Sequence, residues 1–146
     1  MLSHRHADGS LHSHPLTTMN KQLGADGCLY FFVSRKTEVG QRLRQDGSVN
    51  LAYANPDKDT WVSVTGVARV LEDLEKKREL FNPMAKAWFP GGPEDPEMEL
   101  VAVEIDEAEY WNVKDNKLLQ MLKMGKAAVT GDRPKNMGEH REVHFN

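Results

Sequence analysis

Apolar and polar residues alternate along most of the chain, and turn-forming dipeptides divide the alternating runs. Period-two alternation marks a strand with one buried face. Met1 to His6 and Leu11 to Met19 read as two strands joined through Ala7-Asp8-Gly9-Ser10, because Asp-Gly is a strong hairpin signal. Pro15 has no N–H to give, so it belongs at an edge or where the ladder opens. A second turn, Gly24-Ala25-Asp26-Gly27, leads into a third strand, Cys28 to Val33. Its run Leu29-Tyr30-Phe31-Phe32-Val33 is apolar at successive positions, which predicts burial on both faces, or one face under a ligand or partner. Ser48 to Ala54, Thr60 to Leu71 and Glu99 to Trp111 read as the fourth, fifth and sixth strands. Gly66 in the middle of the fifth predicts a bulge or a close backbone approach.

Helical spacing appears in three other places. Between the third and fourth strands, Ser34-Arg35-Lys36-Thr37 precedes apolar positions Val39 and Leu43, and Asp46-Gly47 closes the segment. Asp73 is a fitting N-cap for a helix from Leu74 to Phe81; Asn82-Pro83 interrupts it, and Met84 to Trp88 is a further turn. Lys117 to Val129 carries a wide apolar face and predicts a final helix, buried against the barrel or a second subunit. From Thr130 the chain is polar and reads as an extended, loosely held arm. Six strands joined mostly by short turns predict a mainly β (α+β) fold, an antiparallel barrel with peripheral helices. Residues 1–129 form the barrel with its C-terminal helix in this reading, and 130–146 a polar tail.

Composition narrows the function classes. A chain of 146 residues is long enough for one domain with a real core. Its net charge of −3 argues against a general nucleic-acid binder. No apolar run approaches the roughly 20 residues of a membrane helix, the N-terminus is no secretory signal, and the single cysteine, Cys28, fits a reducing compartment; the cytoplasm is expected. There is no Walker loop, no GxGxxG after a strand and no GxSxG, so any redox chemistry would be carried by a bound cofactor.

Three groups of residues are candidates for chemistry. At Ser34 to Thr37 a strand empties into two hydroxyls and two cations where a helix begins. Unpaired N–H groups there suit a phosphate, although an ordinary capped turn with solvated charges has the same residues. His4, His6, His12 and His14 lie at alternate positions of the first two strands. No acidic or thiol residue lies beside them and there is no HExxH, so no metal is expected and they read as partly exposed strand histidines. Trp88 and Phe89 lead the Pro/Gly-rich stretch Phe89 to Pro96; they either plug the core, the favoured reading, or cover a site.

Several stretches together carry a family resemblance. These are His12-Ser13-His14-Pro15-Leu16, Leu29 to Ser34, Val49 to Pro56, Trp61 to Gly66, Asn82 to Pro93 with its Trp-Phe-Pro-Gly-Gly, Ala108-Glu109-Tyr110-Trp111 and Met124 to Gly131. The chain resembles the general stress protein 26 branch of the pyridoxamine 5′-phosphate oxidase-like, FMN-binding split barrels, over nearly its whole length. The resemblance implies a six-stranded antiparallel split β-barrel that forms a homodimer and binds FMN in clefts between subunits, here with the family's N-terminal helix absent. By that resemblance, Pro15 and Leu16 lie by the flavin ring or ribityl chain, Phe31, Phe32, Val33 and Ser34 line the ring, and Arg35, Lys36 and Thr37 meet the phosphate. The partner's Trp88 and the partner's Phe89 would approach the ring.

Two departures bear on the phosphate. The family's Arg before the Pro is His14 here, and its first-turn helical Lys is Val39. Arg is always charged, whereas His is neutral over much of the physiological range. Each charge-assisted contact is worth roughly 1.5–3 kcal/mol, so losing two predicts FMN binding weaker by on the order of a hundredfold, improving as His14 protonates. The implied function is an FMN-binding protein of stress-response type, with flavin-dependent oxidoreductase activity as a further expectation. The alternatives are a non-enzymatic flavin carrier or sensor, and a haem-binding split barrel suggested by the four histidines.

Overall fold

The computed structural model describes residues 1–112 and 139–145. The expected final helix, Lys117 to Val129, and the Met124 to Gly131 motif lie outside the described residues. Ten elements follow in chain order: β1 (Leu2–Arg5), β2 (Leu11–His14), β3 (Cys28–Ser34), α1 (Glu38–Leu43), β4 (Ser48–Asn55), β5 (Thr60–Leu71), α2 (Leu74–Leu80), α3 (Pro83–Trp88), β6 (Met98–Asn112) and β7 (Glu139–His144). All strand pairs are antiparallel, and the sheet order is β2-β1-β4-β5-β6-β3. These six strands curl into a half-barrel. β7 is an addition within the span expected to be a loose arm: it pairs with the second half of β6, from Glu107↔His144 to Asn112↔Glu139.

The two ends of that order, β2 and β3, are not joined by a ladder. Strand β2 was expected to run to Met19 but stops at His14, because Pro15 cannot donate. Beyond it the chain crosses toward β3. Met19 N donates to Tyr30 O at 2.8 Å. The Asn20 side chain accepts from Tyr30 N at 2.9 Å and donates to Cys28 O at 2.9 Å. Residues 15–20 therefore bridge the seam where the barrel fails to close.

The unbroken apolar run of β3 is buried on both faces, one of the two readings its sequence allowed. Phe31 and Val33 point into the barrel with Leu2, Leu51, Val64, Val101 and Val103. Tyr30 and Phe32 point outward into a second core with Ala85, Phe89, Met98, Leu100 and Ala102. Helix α3 covers this second core, capped by the Asn82 side chain, which accepts from Ala85 N at 2.9 Å. At Gly66 the β5–β6 register shifts, and a Cβ there would collide with the Glu104 carbonyl oxygen. The glycine lets two backbones approach and turns the corner of the barrel.

Helix α1 closes one end of the barrel. The Thr37 hydroxyl accepts from Gly40 N at 3.2 Å and donates to Ser34 O at 2.7 Å. Val39 and Leu43 are buried in the inner core. At the same end Glu99, 1% exposed, receives the Arg44 guanidinium, with Arg35 Nε 3.7 Å from its Oε1.

Candidate functional site

A cavity of about 310 Å³ opens at the seam. That size is at the low end of small-molecule pockets, sufficient for part of a planar ring system with the remainder in a shared or open cleft. Its walls come from three pieces of chain. Pro15, Leu16, Thr17 and Met19 supply the bridging segment, Phe32, Val33, Ser34 and Thr37 the β3–α1 corner, and Met84, Ala85, Trp88 and Phe89 the helix α3. Val39 and Glu97 complete the lining. The surface is apolar, with hydroxyls and one carboxylate at its rim.

Eight of the twelve residues expected from the sequence therefore meet around one cavity. The other four do not line it. Phe31, 2% exposed, belongs to the barrel interior; it shares the inward face of Val33 but lies two residues further from the β3–α1 corner where the cavity opens. Arg35 and Lys36 carry the expected cations, but each already faces an acid: Arg35 approaches Glu99, and the Lys36 ammonium is paired with Glu97. His14 turns its ring toward His4, Nε2 to Nε2 at 2.9 Å, with the rings stacked at 5.0 Å.

The Trp88–Phe89 pair divides its duties. Phe89 is 8% exposed and plugs the outer core, whereas Trp88 is 79% exposed and stands at the mouth. Both wall the cavity of their own chain. Sequence reasoning missed Met84, Ala85, Thr17, Met19 and Glu97, and named Val39 only as the replacement of a phosphate-binding Lys. The spacing of Met84 and Ala85 before Trp88, four and three residues, places them on one helix face and could have identified them.

The histidines depart from the expected picture. His4 is not partly exposed but 1% exposed, packed on the inner side of β1. An acidic partner is present after all, brought by α1 rather than by sequence proximity: Glu38 Oε1 lies 2.6 Å from His12 Nδ1 and 3.9 Å from both His4 Nε2 and His6 Nε2. Burial pulls the pKa of His4 below the ordinary imidazole range, favouring the neutral ring. Burial likewise pushes the Cys28 thiol up, which makes it a poor nucleophile.

A curled antiparallel half-barrel with a cavity at the seam beside the β3–α1 corner defines a split-barrel protein. The chain belongs to the pyridoxamine 5′-phosphate oxidase-like family, whose model matches residues 1–135. Its resemblance is to the general stress protein 26 branch. The general stress protein 26 from Bacillus anthracis superposes with a TM-score of 0.64 at 24% identity, over 75% of this chain and 80% of that one. The general stress FMN/FAD binding protein from Xanthomonas citri superposes with a TM-score of 0.64 at 26% identity, over 80% of both chains. Protein bli-3 of Neurospora crassa is 28% identical over 123 residues, 79% of this chain and 58% of that protein. The chain thus spans less than two thirds of that curated relative. Among the described residues no helix is long and apolar enough to cross a membrane.

Proposed function

We propose that the protein binds FMN at the seam cavity, in a homodimer, and acts as a flavoprotein of stress-response type. The observation that carries this reading is the convergence of Pro15, Leu16, Phe32, Ser34, Trp88 and Phe89 on one apolar cavity beside a capped helix start. The flat walls offered by Phe32 and Phe89 suit an aromatic ring. Trp88 and Met84, 79% and 54% exposed, leave apolar surface at the mouth for a second copy of the chain to cover. When bound, the flavin would supply hydride or single-electron chemistry; the chain's own residues would orient the ring and exclude water.

The phosphate end is weakly provided. Val39 is buried and carries no charge, the Thr37 hydroxyl is engaged in capping α1, and the two nearby cations are held by Glu99 and Glu97. Titration of flavin-free protein with FMN, followed by quenching of flavin fluorescence and with the mass in solution recorded, tests the reading. Saturable binding is expected. Trp88→Ala should weaken it by roughly two- to tenfold, the range of an aromatic ring contact. A protein that leaves FMN fluorescence unchanged at saturation would overturn the proposal.

The Glu97 carboxylate sets a second expectation. It lines the cavity and neutralises Lys36. Glu97→Gln should tighten FMN by roughly two- to fivefold, the scale of an exposed ion pair, and leave riboflavin affinity unchanged because riboflavin has no phosphate. An equal gain for both flavins would place the phosphate elsewhere.

Bleaching of the bound flavin by NAD(P)H would divide an oxidoreductase from a carrier or sensor. The haem alternative rested on the four histidines. Those residues converge on Glu38, and none lines the cavity. The absorbance spectrum of the purified protein separates the two cofactors, a Soret band marking haem.

A further inference from the structure

Glu38 and the histidines of the first hairpin make a second cluster, outside the flavin cavity. His4 and His12 are register partners across β1 and β2, and His14 pairs opposite Leu2, so His4, His12 and His14 share a sheet face. The first residue of α1, Glu38, covers that face. The ring nitrogens His4 Nε2 and His14 Nε2 are 2.9 Å apart, and Glu38 Oε1 is 3.9 Å from His4 Nε2. One ligand atom from each of His4, His14 and Glu38 lies within 4.8 Å of the others.

We propose that His4, His14 and Glu38 form a binding site for a divalent transition metal, of which zinc is the best match. Two imidazoles and a carboxylate are the borderline donor set that zinc takes. Ligand atoms about 2.0–2.2 Å from a tetrahedral ion stand roughly 3.3–3.5 Å from one another, and the 2.9 and 3.9 Å separations bracket that value. The third pair, His14 and Glu38, stands within 4.8 Å, so entry of the ion draws the part-exposed Glu38 carboxylate toward His14.

The surroundings also fit. The His4 side chain is fully buried, and its Nε2 is aimed into the cluster. The carboxylate is held from behind. His12 Nδ1 is 2.6 Å from Glu38 Oε1, and His12 Nε2 is 3.1 Å from Ser10 Oγ, an arrangement that orients the carboxylate. The three protein ligands leave a fourth position for water.

A second group, Glu107, Glu142 and His144, has comparable spacing but a single imidazole, and Glu142 and His144 are exposed. It serves as the control. The untagged chain, freed of flavin and chelated, is titrated with zinc chloride by calorimetry, with a thermal melt in parallel. One equivalent is expected to bind and to raise the melting temperature. Glu38→Gln and His14→Asn should each weaken binding by about tenfold or more and abolish the thermal gain. Both positions are partly exposed, so the variants should fold. His144→Ala should leave the affinity within about threefold. Zinc affinity unchanged in both ligand variants, or lost in His144→Ala, would overturn the assignment. The readout does not involve flavin, so its failure leaves the flavin proposal standing.

Discussion

Replacing Phe31 with alanine is expected to lower the stability of the fold by about 3–5 kcal/mol, the range for truncating a fully packed aromatic side chain. Phe31 is 2% exposed and sits in the inner core, facing Leu2, Val33, Leu51 and Val101. Removing the ring leaves a void that backbone held by β6 on its paired side cannot easily collapse into. Urea unfolding should show a lower midpoint with an unchanged slope. One residue further on, Phe32 lines the cavity, so Phe32→Ala should reduce ligand affinity as well as stability. The two neighbours thereby separate structure from binding. Flavin affinity lost in Phe31→Ala at unchanged stability would mean that this ring, and not its neighbour, faces the ligand.

The second large effect is expected at Gly66. A methyl group there would meet the Glu104 carbonyl oxygen and lie 3.2 Å from Val103 Cγ1. Neither can move aside cheaply, since Val103 is fully buried and Glu104 belongs to the paired backbone of β6. Gly66→Ala should cost about 1–3 kcal/mol or more, as overpacking of a core does. The β5–β6 ladder must straighten or part at the bulge, and loss of protection at nearby amides would register the change by hydrogen exchange. An alanine variant as stable as the parent would show that the corner of the barrel has slack.

Much of this architecture was legible in the residues. Strand β5 runs from Thr60 to Leu71 as its alternation indicates, and Gly66 marks the register shift expected of it. Asp73 and Asn82 cap the helices that their positions announce. The limits are equally physical. Thr17, Thr18 and Met19 favour a strand, but past Pro15 the chain leaves β1, and Met19 and Asn20 turn it toward β3. Strand β7 reads EHREVH, with Val143 as its one apolar residue, so no apolar period signals it. Its order comes from the edge that β6 offers. The site followed the same rule. Contacts along one strand were readable, whereas Glu38 beside the histidines and Glu97 beside Lys36 depend on tertiary approach.

Strand β3 lies at the end of the sheet order and pairs with β6, from Ser34↔Met98 to Cys28↔Glu104. The most aromatic strand of the chain therefore leaves the ribosome well before its mate exists. Throughout that interval Leu29 to Val33 is an uncharged, β-prone, sticky segment, the kind that recruits other chains. Such long-range closure is also slow to find. The late arrival of β6 leaves the strand that feeds both cores without its ladder partner until more than two thirds of the chain has been made.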